Sequence, residues 1–198
     1  MAPDDRRTLL ESLARDAYEH RPEGFLLASG KTSTEYLDCR AALSHGEVLP
    51  ALGRTVASVV VPRATAVGGL TMGADPIAIS TALVSGRLRW FSVRKEPKKH
   101  GTKKTIEGDV RKGAAVVVVD DVVTSGGSTI EAIQKCRAAQ LDVVQVVVLV
   151  DREEGDGMRR VRAEAGHGVP VMALFTKSEV AAASRTITPR TLPSPESR

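Results

Sequence analysis

The sequence predicts an α/β fold, a mostly parallel central sheet flanked by helices, with a small N-terminal hood and one long polar loop. Three observations carry that reading. Residues 116–119 and 143–150 are nearly continuous β-branched runs without polar alternation, the pattern of strands buried on both faces. Helix-like segments alternate with the strands, which implies right-handed crossovers and parallel pairing. Glycines, acids and an arginine gather just past strand ends, at 68–73, 120–128 and 151–152, where an open α/β sheet places its ligand.

In chain order, Asp4 or Asp5 caps a first helix with Leu9, Leu10, Leu13 and Ala17 on one face and Arg6, Arg7, Glu11, Arg15 and Glu19 on the other, ending before Pro22. Residues 25–29 and 35–40 are short extended pieces around the turn-forming Gly30-Lys31-Thr32-Ser33, a hairpin or hood over a site. Between 44 and 63, Pro50 and a β-branched run compete with helical periodicity, and a helix over 46–57 is the preferred assignment. Residues 64–67 form a short strand running into a glycine turn at 68–73, before an apolar helix at 77–84. A strand at 89–93 precedes residues 94–108, which lack apolar periodicity and carry six Lys or Arg in their first eleven positions. Such a segment cannot be core; its charge suggests a mobile lid that orders over an anion. The central strand and a helix at 129–140 follow, then the second valine-rich strand ending in Asp151-Arg152, and a last strand at 169–175. One domain over 1–183 is expected, with the hood at about 1–40 and a disordered Pro/Ser/Thr/Arg-rich tail at 184–198.

With 198 residues the chain can bury a core without metal or disulfide support. Cys39 and Cys136 stand far apart in no zinc-like spacing, which suggests reduced thiols in the cytoplasm. No apolar run long enough for a membrane span or leader is visible. The net charge of +4 is concentrated in the 94–104 segment, and aromatics make up only 3% of the chain. A phosphorylated small molecule therefore fits better than nucleic acid, which needs a stacking platform.

The most specific stretch is VVVVDDVVTSGGS, residues 116–128. Ionised carboxylates cannot stay unpaired in an apolar interior, so Asp120 and Asp121 are expected where the strand emerges. Thr124, Ser125, Gly126, Gly127 and Ser128 then present backbone N–H groups at a helix start, a cradle for phosphate oxygens. Two nucleotide motifs are excluded by spacing. GFLLASGKT at 24–32 leaves five residues between its glycines where a P-loop has four, and GGLTMG misses the dinucleotide pattern. Arg152 is open to a second reading, a strand-end salt bridge with Asp151 or Glu153.

The 116–128 stretch resembles the signature of the type I phosphoribosyltransferase family, which uses 5-phosphoribosyl 1-diphosphate. FLLASGKTSTEYLD at 25–38, with GGLTMGADPIA, FSVRKEPKKHG, IEG and VDREEG in order up to about residue 155, is similar to the orotate phosphoribosyltransferase family within it. That resemblance implies transfer of ribose 5-phosphate to N1 of orotate, Mg²⁺ as cofactor, and a homodimer sharing its catalytic loop, with no nucleic-acid or membrane partner. It implies Lys98, His100, Asp120 and Asp121 as catalytic. Contacts to 5-phosphoribosyl 1-diphosphate are implied for Thr71, Arg94, Lys95, Lys98, His100, Asp120, Asp121, Val122, Val123, Thr124, Ser125, Gly126, Gly127 and Ser128. Orotate contacts are implied for Thr124, Arg152, Tyr36, Leu37 and Lys31. No side chain is implied as a firm metal ligand; magnesium comes with the substrate, near Asp120 and Asp121. Two positions depart from the best-known bacterial pattern, Ala28 and Met72 standing where lysines are often found, with Lys31 nearby instead. A purine phosphoribosyltransferase and a nucleic-acid-binding regulator that senses the same donor are the rival readings.

Overall fold

The computed structural model describes residues 3–26, 32–96 and 104–187. Helix α1, Pro3–Ser12, continues through a π-helical turn, Leu13–Ala17, before the chain becomes extended. The helix is thus shorter than its apolar periodicity suggests, and Pro22 lies inside a strand. Asp4 and Asp5 sit in the first turn rather than capping it, and Asp5 pairs with Arg54 at 2.8 Å. Strands β1, Tyr18–Leu26, and β2, Thr32–Leu37, form a separate antiparallel hairpin, the expected hood with a longer first arm. Asp38 then caps α2, Cys39–Leu43, by accepting from Arg40 N. Helix α3, Leu49–Ala57, starts three residues later than expected, with Pro50 in its first turn, where a missing N–H costs nothing.

The main sheet begins with β3, Ala66–Leu70, followed by α4, Asp75–Ser85. Strand β4, Arg89–Val93, and the short β5, Ile106–Glu107, pair antiparallel and pin both ends of the 94–108 loop. Next come β6, Ala115–Val123; α5, Gly127–Ala138; β7, Asp142–Asp151; α6, Gly157–Ala165; β8, Val171–Thr176; and α7, Lys177–Ser184. Strand order is β5-β4-β3-β6-β7-β8, parallel apart from the β4–β5 pair. Residues 184–187, assigned from sequence to a tail, close α7 and bring Ile187 against the core; 188–198 lie outside the described residues.

The valine run is continuous because both faces of β6 are covered. Val117 and Val119 pack with Leu9, Leu13, Leu52, Val56 and Ile77 on one side. Val116 and Val118 pack with Phe91, Ile133, Cys136 and Val161 on the other. Each fully buried valine contributes about 1.5–3 kcal/mol of transfer free energy. The one polar residue inside β7, Gln145, is buried and satisfied, accepting from Val61 N at 2.9 Å and donating to Val59 O at 2.8 Å. That pair of bonds docks the segment after α3, whose β-branched residues form turns and a bend rather than a strand.

Chain order fixes where a ligand fits. From β3 the chain steps outward to β4, then crosses back to place β6 on the opposite side, so loops after β3 and β6 diverge and leave a crevice. Gly68 and Gly69 belong to β3 itself and not to the turn: a Cβ on Gly68 would lie 2.2 Å from Phe91 O, and one on Gly69 2.0 Å from Val119 O and 2.7 Å from Ala74 Cβ. Gly69→Ala is expected to cost about 1–3 kcal/mol by overpacking. Gly46→Ala, whose Cβ would meet nothing within 4 Å, is expected to stay within about 0.5 kcal/mol of the parent. Urea unfolding of the two variants checks the contrast.

Candidate functional site

The loops after β3 and β6, the end of β2 and the start of the 94–108 loop enclose a cleft of about 620 Å³. Of the residues singled out in the sequence, Tyr36, Leu37, Thr71, Arg94, Lys95, Asp120, Asp121, Val122 and Ser128 line it. Leu37 does so although its side chain belongs to the core, and Val123 is buried there too, its carbonyl accepting from Arg152 N at 3.0 Å. Lys31, Lys98 and His100 lie outside the described residues.

The two acids are not equivalent. Asp120 lies within β6 and is only 3% exposed, deeper than a strand-end position implies. Burial is tolerated because its Oδ2 accepts from Ser128 Oγ at 2.8 Å and Thr129 Oγ1 at 2.6 Å, and its Oδ1 from Asp121 N at 3.1 Å. Asp121 has one such bond, from Val122 N at 2.9 Å. Burial raises the carboxyl pKa of both. For Asp121, burial and then the neighbouring Asp120 charge push it up to about 6. Gly73 faces this carboxylate so closely that a Cβ there would lie 2.5 Å from Asp121 Oδ1, which explains the glycine in the turn.

The loop at 124–128 enters α5 through Gly126, at φ +78°. It packs on the start of α6: a Cβ on Gly126 would lie 2.9 Å from Gly157 O, and one on Gly157 2.1 Å from Thr124 O. Arg160 Nη1 takes the Ser125 carbonyl at 2.8 Å. The first amides of α5 have no partners within the helix, so this end suits an anion. Thr71 Oγ1 donates to Asp75 Oδ2 at 2.5 Å and Ser92 Oγ to Asp75 Oδ1 at 2.6 Å, so Asp75 ties the turn after β3 to β4. Arg94 approaches Glu107 at 3.6 Å, and Lys135 holds the Arg94 carbonyl at 2.8 Å. Arg152 pairs with Glu154 at 3.1 Å, not with Asp151 or Glu153, and its buried Nε has no hydrogen-bond partner among the described residues.

Sequence reasoning missed Asp75 and Arg40. Arg40 lines the cleft from α2 while held by Asp38 through two 2.8 Å bonds. The signal for Asp75 was present as a threonine four residues ahead of an acid at a helix start; Arg40, one charge among many, had none.

Comparison with known proteins gives the arrangement relatives. Residues 77–164 match the Phosphoribosyl transferase domain. The orotate phosphoribosyltransferase of Aquifex aeolicus is 42% identical, covering 79% of this chain and 86% of that protein. That of Thermosynechococcus vestitus is 38% identical, covering 90% and 94%. Among solved structures, Mycobacterium tuberculosis orotate phosphoribosyltransferase in complex with Fe(III) dicitrate superposes with a TM-score of 0.78 at 32% identity, covering 89% of this chain and 98% of that one. The same enzyme in complex with 5-phospho-α-D-ribosyl 1-diphosphate gives 0.72 at 27%, covering 91% and 93%.

The raised Asp121 pKa has a consequence for stability. Between the ordinary carboxyl value of 3.8 and about 6, the native state binds more protons than the unfolded chain, so stability falls as pH rises through that window. The penalty is complete above it. Asp121→Asn is therefore expected to unfold at higher temperature than the parent at about pH 8, by on the order of 1–2 kcal/mol, with the advantage vanishing below about pH 4. Calorimetry across that pH range measures it.

Proposed function

The chain belongs to the orotate phosphoribosyltransferase family of pentosyltransferases, and from that premise we propose that it transfers ribose 5-phosphate from 5-phosphoribosyl 1-diphosphate to N1 of orotate, a step of pyrimidine nucleotide synthesis that yields orotidine 5′-monophosphate and diphosphate. The observation that carries this reading is the convergence on one cleft of the acid pair, the turn after β3 and the start of the basic loop.

In the transfer, the bond from the anomeric carbon to diphosphate oxygen breaks, the bond to N1 forms, and the proton from N1 ends on the released diphosphate. Positive charge grows on the ribose ring and negative charge on the leaving group. Asp121, the less encumbered carboxylate, takes ribose hydroxyls and offsets the ring charge. Asp120, saturated by three donors, holds the end of β6 in place beside it. Thr124–Ser128 and the first turn of α5 receive the 5′-phosphate. Thr71, Arg94, Lys95, Lys98 and His100 receive the diphosphate and lower the barrier by neutralising charge that develops there. Arg152 pairs with the orotate carboxylate, its unpartnered Nε supporting that assignment, and Thr124, Tyr36, Leu37 and Lys31 complete the base pocket.

Asp38, Glu96, Asp120 and Asp121 line the cleft, yet no cluster of three or more ligating side chains exists among the described residues. That donor set suits a magnesium ion that takes most of its oxygens from substrate. Asp121 would hold it, with Asp120 behind keeping the strand end in place, and when bound it would supply charge neutralisation at the diphosphate. We place the protein in the cytoplasm as a homodimer. Both cysteines are free and buried, and Ile79, Leu83 and Trp90 leave apolar area exposed on α4 and β4 for a second copy.

With orotate, 5-phosphoribosyl 1-diphosphate and Mg²⁺, loss of orotate absorbance is expected; consumption of adenine or guanine in its place would move the assignment to purines. Lys98→Ala is expected to lower kcat by ~10²-fold or more while changing the orotate KM little, as for removal of one preorganised charge at a developing anion. Unchanged turnover removes Lys98 from the mechanism.

A further inference from the structure

Lys177 is oddly placed. It is the first residue of α7, where the positive end of the helix dipole disfavours a cation, and its side chain is only 19% exposed. Its Nζ lies 2.8 Å from Glu35 Oε2 and 3.4 Å from Glu154 Oε1. Glu154 Oε1 is the same oxygen that pairs with Arg152 Nη2 at 3.1 Å. Glu35 in turn accepts from Tyr18 Oη at 2.6 Å, on the other arm of the hairpin, and precedes Tyr36 in the cleft wall. One ammonium thus joins the hairpin to the loop after β7. A half-buried cation at the wrong end of a helix persists only because two carboxylates compensate it.

We propose that Lys177 is a positioning residue for the orotate subsite: it ties Glu35, beside Tyr36, to Glu154, which holds Arg152, so that both walls keep one spacing and Arg152 does not carry Glu154 alone. The inference rests on the reading of Arg152 as partner of the orotate carboxylate. Without Lys177, Glu154 turns its full charge on Arg152 and competes with the incoming carboxylate, and the hairpin loses its anchor. Lys177 touches no substrate. Its removal therefore acts on orotate and not on the phosphoribosyl donor, whose groups sit on other loops.

The test is steady-state kinetics of the full-length protein with both substrates varied. Lys177→Met is expected to raise the orotate KM by about 10-fold, the scale of one lost charge-assisted hydrogen bond, with the donor KM within about 2-fold. Lys177→Arg is expected to restore most of the loss, and the milder Glu35→Gln to move the orotate KM in the same direction by a smaller factor. An unchanged orotate KM in Lys177→Met overturns the proposal. So does an equal rise in both KM values with a lower Tm, which marks a structural role only. Arg152→Met separates the two levels. If it raises the orotate KM and Lys177→Met does not, this inference alone fails; if it leaves the orotate KM unchanged, the reading of Arg152 fails and this inference with it.

Discussion

The structure depends on burying a carboxylate at the end of an apolar strand. Asp120 is nearly inaccessible, following four consecutive valines and paired with Val148 of β7. An unpaired charge there is prohibitive, and it is tolerated through three donors, two of them the hydroxyls of Ser128 and Thr129 at the start of α5. The same bonds fix the strand, the loop and the helix relative to one another. The loop at 124–128 is consequently held at both ends, and its backbone N–H groups are fixed before any ligand arrives. Asp121, next in sequence, lacks those donors, and burial together with the neighbouring Asp120 charge raises its carboxyl pKa.

Close backbone approach extends this constraint through the crevice. Gly69 lets β3 press against the Val119 carbonyl, Gly73 lets the turn after β3 reach the Asp121 carboxylate, and Gly157 lets α6 pack on the Thr124 carbonyl. Each contact removes space a side chain would occupy. The first two bring the turn after β3 against the end of β6 in one cleft, as the divergence between β3 and β6 requires, and the third braces the loop at 124–128 from outside it.

Much of this was legible in the sequence where composition and geometry coincide. The valine runs encode two-sided burial, and VVVVDDVVTSGGS encodes strand, acids and amide loop in contiguous residues. What was not legible depends on partners distant in sequence. The glycines at 68–69 look like a turn, yet their role is set by Phe91 and Val119, which only pairing brings near. The β-branched residues after α3 look like a strand, but Gln145, more than eighty residues on, holds them outside the sheet. The Arg152–Glu154–Lys177–Glu35 chain links three segments, the loop after β7, α7 and β2, with no shared pattern.

Charge balance explains how several cations are kept in place around the cleft. Arg40 is held by Asp38, Arg94 approaches Glu107, and Arg152 is held by Glu154, each a carboxylate supplied by the chain itself. The Arg40–Asp38 and Arg94–Glu107 pairs are partly open to solvent, where such a pair is worth about 0–1 kcal/mol, whereas Arg152 is only 12% exposed. Among the residues lining the cleft, Arg40, Arg94 and Lys95 thus stand against Asp38, Glu96, Asp120 and Asp121, so neither sign of charge dominates its walls.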